Sequence, residues 1–104
     1  MKYLTSALSL NMLGEIPASI EVREVSLEEA RMLATDHKSV VGHPDTAGIF
    51  TAMLGMPVPF NRDTITLKKG DCVLVGQYRG TRLPEGAKTL PEGATIQWFV
   101  AEVR

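Results

Sequence analysis

The chain has 104 residues, 44% of them hydrophobic and 22% charged, with 11 basic against 12 acidic side chains and a net charge of −1. This composition excludes disorder, and the length gives one domain over residues 1–104 rather than two. A near-zero charge excludes the global positive field of a duplex-DNA binder or of a protein held on an anionic membrane. No run approaches the ~20 apolar residues of a membrane helix.

Residues 2–10 mix apolar with small polar side chains and suggest a first strand running into "SLNMLGEIP". The opening "MKYLTSALSLNML" loosely mimics a secretory leader. Thr5, Ser6, Ser9 and Asn11 interrupt its apolar run, however, and no good cleavage site follows, so it belongs to the mature fold. "SIEVREV" (19–25) alternates Ile20 and Val22 against Glu21 and Arg23 as a half-buried strand does. In "SLEEARMLATD", Ser26 and Glu29 form a capping box, and Leu27, Ala30, Leu33 and Ala34 recur at helical spacing. His37, in the loop "TDHKS", is expected to be solvated, and "SVV" (39–41) to be a short buried strand.

A second helix opens at "HPDTAGIFTAMLG". Pro44 suits the first helical position, Gly55 suits a left-handed stop, and His43 falls at the N-cap or beside it. "DTITLKKGDCVLVGQY" has the pattern of two strands joined by a tight turn at Lys69-Gly70. The single cysteine, Cys72, cannot form an intrachain disulfide and is expected to be a small core residue. "RGTRLPEGAKTLPEGA" is loop-like; its duplicated "LPEGA" (83–87 and 90–94) makes two similar turns rather than a structural repeat. "TIQWFVAEV" closes the chain as a strand in which Trp98 and Phe99 serve the core or a dimer contact. The expected class is therefore α/β, a mixed sheet of about five or six strands flanked by helices, with parallel neighbours at the crossovers.

The candidate site lies in "KSVVGHPDTAGIF". A helix N-terminus carries unpaired amides and partial positive charge, which favour an anion such as phosphate. Gly42 allows close approach, Asp45 and Thr46 supply free amides, and His43 stands at the entrance. An imidazole there can serve as a general acid or as a neutral hydrogen-bond donor, and the sequence leaves both roles open. The alternative is that His43 only caps its helix. Residues 41–82 carry Arg62, Lys68, Lys69, Arg79 and Arg82 against Asp45, Asp63 and Asp71, a local surplus of positive charge that suits a small anion. Arginines near strand ends can grip phosphate bidentately, or simply be solvated. Two separated histidines, one cysteine and scattered carboxylates match no metal-ligand spacing, and no glycine-rich nucleotide loop is present, so no metal or cofactor is expected.

Taken in order, "SALSLNML", "SLEEA", "VVGHPDTAGIFTAMLG", "PFNRDTITLKKGDCVLVGQYRG" and "RLPEG" span nearly the whole chain. Together they resemble the viral ring nucleases, the type III CRISPR inhibitors carried by archaeal viruses, bacteriophages and integrated elements. The resemblance implies a homodimer that binds cyclic tetra-adenylate across its two-fold axis. It also implies metal-free cleavage to linear di-adenylate with a 2′,3′-cyclic phosphate, in the cytoplasm of an infected prokaryotic cell. The catalytic histidine of the family falls on His43, and the glutamate of its Arg-Leu-x-Glu-Gly loop on Glu85, with Glu92 a second candidate. That loop's arginine falls on Arg82, whose role Arg79 could share. The Asn-Arg arginine falls on Arg62, and Ser9 and Asn11 would line the ligand site. A non-catalytic sponge for a cyclic nucleotide is the alternative within the same resemblance.

Overall fold

The computed structural model describes residues 1–104 except Arg82, Pro84 and Lys88. Five strands and two helices alternate along the chain: β1 (Lys2–Thr5), β2 (Ile20–Val25), α1 (Leu27–Leu33), β3 (Lys38–Ser39), α2 (Pro44–Leu54), β4 (Cys72–Arg79) and β5 (Thr95–Val103). They form one mixed sheet in the order β2-β5-β4-β1-β3. β1 is parallel to both β3 and β4, whereas β5 is antiparallel to β4 and β2. The chain between the partners of each parallel pair is long and carries at least one helix, as a parallel crossover requires.

Both helices pack on the same face of the sheet. Ala30, Ala47, Phe50 and Leu54 from the helices meet Leu4, Val25, Leu74 and Trp98 from the strands. Phe50 and Trp98 pack as a tilted aromatic pair with ring centroids 4.9 Å apart. Gly76 makes this possible: a Cβ there would lie 2.5 Å from Phe50 and 2.7 Å from Trp98. On the opposite face, chain segments rather than helices supply the cover, with Ile65 and Leu67 packed on Tyr3, Val73, Val75 and Val103. Part of that face stays open, and Val22 is 55% exposed there.

The helix boundaries follow from local chemistry. Ser26 Oγ accepts the Glu29 N–H at 3.1 Å and starts α1, while the Glu29 carboxylate turns instead to Arg23 Nη1 at 2.8 Å. Pro44 occupies the first turn of α2, and Gly55 ends it with φ 69°. Thr51 helps hold the exit, donating to Ala47 O and accepting from Val58 N–H.

Five expectations change. The first strand covers only residues 2–5; its continuation folds into a 3₁₀ turn at Leu10–Met12 whose N-cap is Ser9. The expected hairpin over residues 63–78 does not form. Lys69-Gly70 does turn, but Leu67 pairs in parallel with Leu13 as an isolated bridge, so only the second half becomes a strand. A period-2 pattern shows that alternate side chains are buried, not which strand lies alongside. β3 is Lys38–Ser39, with Val41 bridging separately to Phe60. His37 is not solvated: its side chain is 3% exposed, and Nδ1 lies 2.9 Å from Asp36 Oδ1. Cys72 is partly buried at the start of β4 rather than deep in the core.

Candidate functional site

In open α/β sheets, ligands collect outside the carboxyl ends of the strands. Here the carboxyl ends of β1, β3 and β4 lead respectively to the segment bearing Ser9 and Asn11, to Gly42-His43, and to the loop bearing Glu85. Topology therefore delivers three stretches far apart in sequence to one rim of the sheet.

His43 is the N-cap of α2, with extended backbone (φ −131°, ψ 120°). Its carbonyl accepts the Ala47 N–H at 2.9 Å and begins the helical ladder, but its side chain makes no capping bond. The ring is exposed. Beyond it, Pro44 has no amide to offer, while the Asp45 and Thr46 amides precede the first intrahelical bond and belong to the unpaired set at the helix start.

Arg62 is brought to this entrance by its neighbour. Asn61 donates its backbone N–H to Val41 O and its side-chain Nδ2 to Ser39 O, both at 2.9 Å, which stitches the 59–62 segment along the extension of β3. Ser39 Oγ adds a bond to Pro59 O at 2.7 Å. Arg62 then donates from Nε (3.3 Å) and Nη2 (3.1 Å) to Gly42 O. A neutral carbonyl leaves the guanidinium charge uncompensated, and among the described residues Arg62 makes no ion pair. At Gly42, a Cβ would meet Arg62 Cγ at 3.6 Å, an ordinary contact.

Glu85 sits in an exposed turn with Gly86, whose φ is 80°. The turn is attached to the helix: Gly86 N–H donates to Asp45 Oδ2 at 3.1 Å. Asp45, whose amide is among the unpaired ones, thus also acts through its side chain. A cavity of about 510 Å³ opens between turn and helix, lined by Pro44, Asp45, Gly48, Thr51, Ala52, Gly86 and Ala87. Glu92 lies in a second, similar turn with Gly93 at φ 80°, closed by an Ala94 N–H to Pro91 O bond. No bond recorded among the described residues ties that second turn to α2.

The remaining candidates divide. Ser9 and Asn11 are exposed at the carboxyl end of β1, where Ser9 Oγ accepts the Asn11 N–H at 3.2 Å; among the described residues no hydrogen bond joins them to His43, Arg62 or Glu85. Thr46 is half-buried in the first turn of α2. Arg79 ends β4 and bonds to Gln97 across the strand pair, so its alternation with Val73 and Val75 places it on the face away from the helices. Arg82 lies outside the described residues. Among the described residues no three His, Cys, Asp or Glu side chains gather as a metal-ligand set.

Sequence reasoning missed Asn61 and the Asp45 side chain because both act over long separations, 22 and 41 residues. The Asn-Arg pair was visible as a motif, but that its first member positions the second could be seen only in three dimensions.

Comparison with known proteins places this arrangement among viral proteins. B116 of Sulfolobus turreted icosahedral virus superposes with a TM-score of 0.82 at 25% identity, covering 97% of both chains. Uncharacterized protein 26 of Sulfolobus islandicus filamentous virus (isolate Iceland/Hveragerdi) is 33% identical over 96 residues, covering 88% of this chain and 80% of its own. Uncharacterized protein ORF117 of Acidianus two-tailed virus is 33% identical over 73 residues, covering 66% of this chain and 62% of its own. A family model described as STIV B116-like matches residues 2–96, and the chain belongs to that family.

Proposed function

We propose that this protein is a metal-independent ring nuclease that binds cyclic tetra-adenylate as a homodimer and cuts it to linear di-adenylate ending in a 2′,3′-cyclic phosphate. It would act in the cytoplasm of an infected prokaryotic cell, erasing the signal of type III CRISPR immunity. The observation that carries this reading is the exposed His43 imidazole, without a capping bond, at the mouth of α2, with the uncompensated Arg62 guanidinium on the adjoining carbonyl.

An RNA-type linkage carries its own nucleophile. The ribose 2′-oxygen attacks phosphorus, the bond from phosphorus to the 5′-oxygen breaks, and the departing oxygen must gain a proton. Protonated His43 supplies it. Arg62 and the amides of Asp45 and Thr46 hold the phosphate as charge builds on the phosphorane. Glu85, on the turn pinned to the same helix, receives the proton of the 2′-hydroxyl. A two-fold dimer suits a four-fold ring, because each subunit then addresses one of two opposite linkages.

Purified protein incubated with labelled ring in EDTA should yield linear di-adenylate. His43→Ala should slow cleavage by about 10²–10⁴-fold, the ordinary contribution of a positioned general acid. Equal rates for His43→Ala and wild type would sink the assignment. One observation favours a sponge instead: no hydrogen bond among the described residues links Glu85 to His43. Tight binding with the ring recovered intact after long incubation would select that reading.

A further inference from the structure

Glu85 lies in the loop that follows β4, and among the described residues of that loop the hydrogen bonds are few. Tyr78 Oη donates to Thr81 O at its base, and Ala94 N–H closes its far end on Pro91 O. Among the described residues, the bond that ties it to a helix is Gly86 N–H to Asp45 Oδ2, spanning 41 residues of sequence. Asp45 is half-buried in the first turn of α2, two residues after His43. Its backbone belongs to the element that aims the imidazole, and its carboxylate belongs to the turn that aims Glu85.

We infer that Asp45 is a positioning residue, a latch that sets the Glu85 turn against the His43 end of α2; its consequence for cleavage rests on the function proposed above. Three features support this. The acceptor is anionic, so the bond is of the stronger, charge-assisted kind. The turn glycine has φ 80°, a conformation in which a side chain would be strained, so Gly86 presents its amide to Asp45 from a backbone that glycine alone adopts freely. The cavity under the turn is lined by small side chains, Gly48, Ala52 and Ala87 among them, and is open, so among the described residues little side-chain packing lies between the turn and this part of α2.

The latch predicts a difference between two substitutions. Asp45→Ala removes the acceptor. Asp45→Asn keeps a side-chain oxygen able to accept the Gly86 N–H but removes the same charge from the helix start. Rescue by Asn over Ala is therefore due to the latch and not to the helix dipole. In the full-length protein, amide exchange at Gly86 measured by NMR should quicken by about tenfold or more in Asp45→Ala and return toward wild type in Asp45→Asn. In cleavage of labelled ring, Asp45→Ala should lower kcat by roughly 10- to 100-fold, the cost of a misplaced reacting group. Asp45→Asn should recover most of kcat. Unchanged Gly86 exchange in Asp45→Ala overturns the latch, as does an Asp45→Ala enzyme that cuts at the wild-type rate. A wild-type protein that never cuts the ring sinks the proposed function instead, and the latch is then decided by the exchange data alone.

Discussion

The two ends of the sheet hold charged side chains in opposite ways. At the amino ends of β1 and β4 the charges answer one another. The N-terminal ammonium meets Asp71 at 2.9 Å, Lys2 meets Asp36 at 2.9 Å, and Asp36 meets the buried ring of His37. Lys2, Cys72, Glu102 and Glu21 stand in register across four strands, with Arg104 bonded to both glutamates. At the carboxyl ends the corresponding groups show no partner of opposite charge among the described residues: His43 makes no capping bond, Arg62 reaches a carbonyl, and Glu85 lies exposed on its turn. Partnered charges keep a fold together, whereas unpartnered ones at a strand rim are available to a ligand. At the amino end the partners also set acidity. Burial would raise the Asp71 carboxyl, but the Lys68 N–H and the N-terminal ammonium outweigh it and hold it below the usual carboxylate range. Burial, reinforced by Glu102, pushes the Cys72 thiol up.

This contrast breaks if either end behaves like the other. The largest effect belongs to His43→Ala, which should cost about 10²–10⁴-fold in cleavage while shifting unfolding free energy by no more than about 0.5 kcal/mol, as exposed substitutions do. Asp71→Ala should do the reverse. It should lose about 1–3 kcal/mol in denaturant titrations by stranding the Lys68 amide, with kcat of the folded protein unchanged. Because the folded Asp71 carboxyl titrates below the ordinary aspartate value of about 3.9, its contribution is complete above that pH. It fades as pH falls through the lower folded value, so wild type and variant should converge in strong acid. Arg62→Ala should weaken ring binding by about tenfold, the scale of one hydrogen bond to a charged group, and flatten the salt dependence of affinity; a Kd insensitive to this change would remove Arg62 from the site. The smallest effect is expected at Cys72: Glu102→Gln should speed thiol alkylation at mildly alkaline pH, because the carboxylate that adds to burial in disfavouring the thiolate is gone. An unaltered alkylation rate would show that burial alone keeps the thiol protonated.

Legibility followed the range of the interaction. The α1 capping box, Pro44 and Gly55 at the ends of α2, and the closing strand were all visible in short windows, because caps and periodicity act within a few residues. His43 was visible for the same reason, as a histidine just before a helix-starting proline. His37 was misjudged from its loop sequence because its burial depends on a fold that sets it beside Cys72, Val100 and Glu102 around a common hollow. The 63–78 hairpin was misjudged because alternation cannot name a partner, and Leu67 found Leu13.

Sequence alone determined the class of the fold, the position of both helices and the residue types capable of acid and anion chemistry, since these depend on local propensity and composition. Tertiary structure decided which of them meet. Parallel β1, β3 and β4 send three distant segments to one rim, Asn61 carries Arg62 to Gly42, and Asp45 draws in the turn of Glu85. Those meetings are set by strand order and by hydrogen bonds across 20 to 41 residues, and no local pattern encodes them.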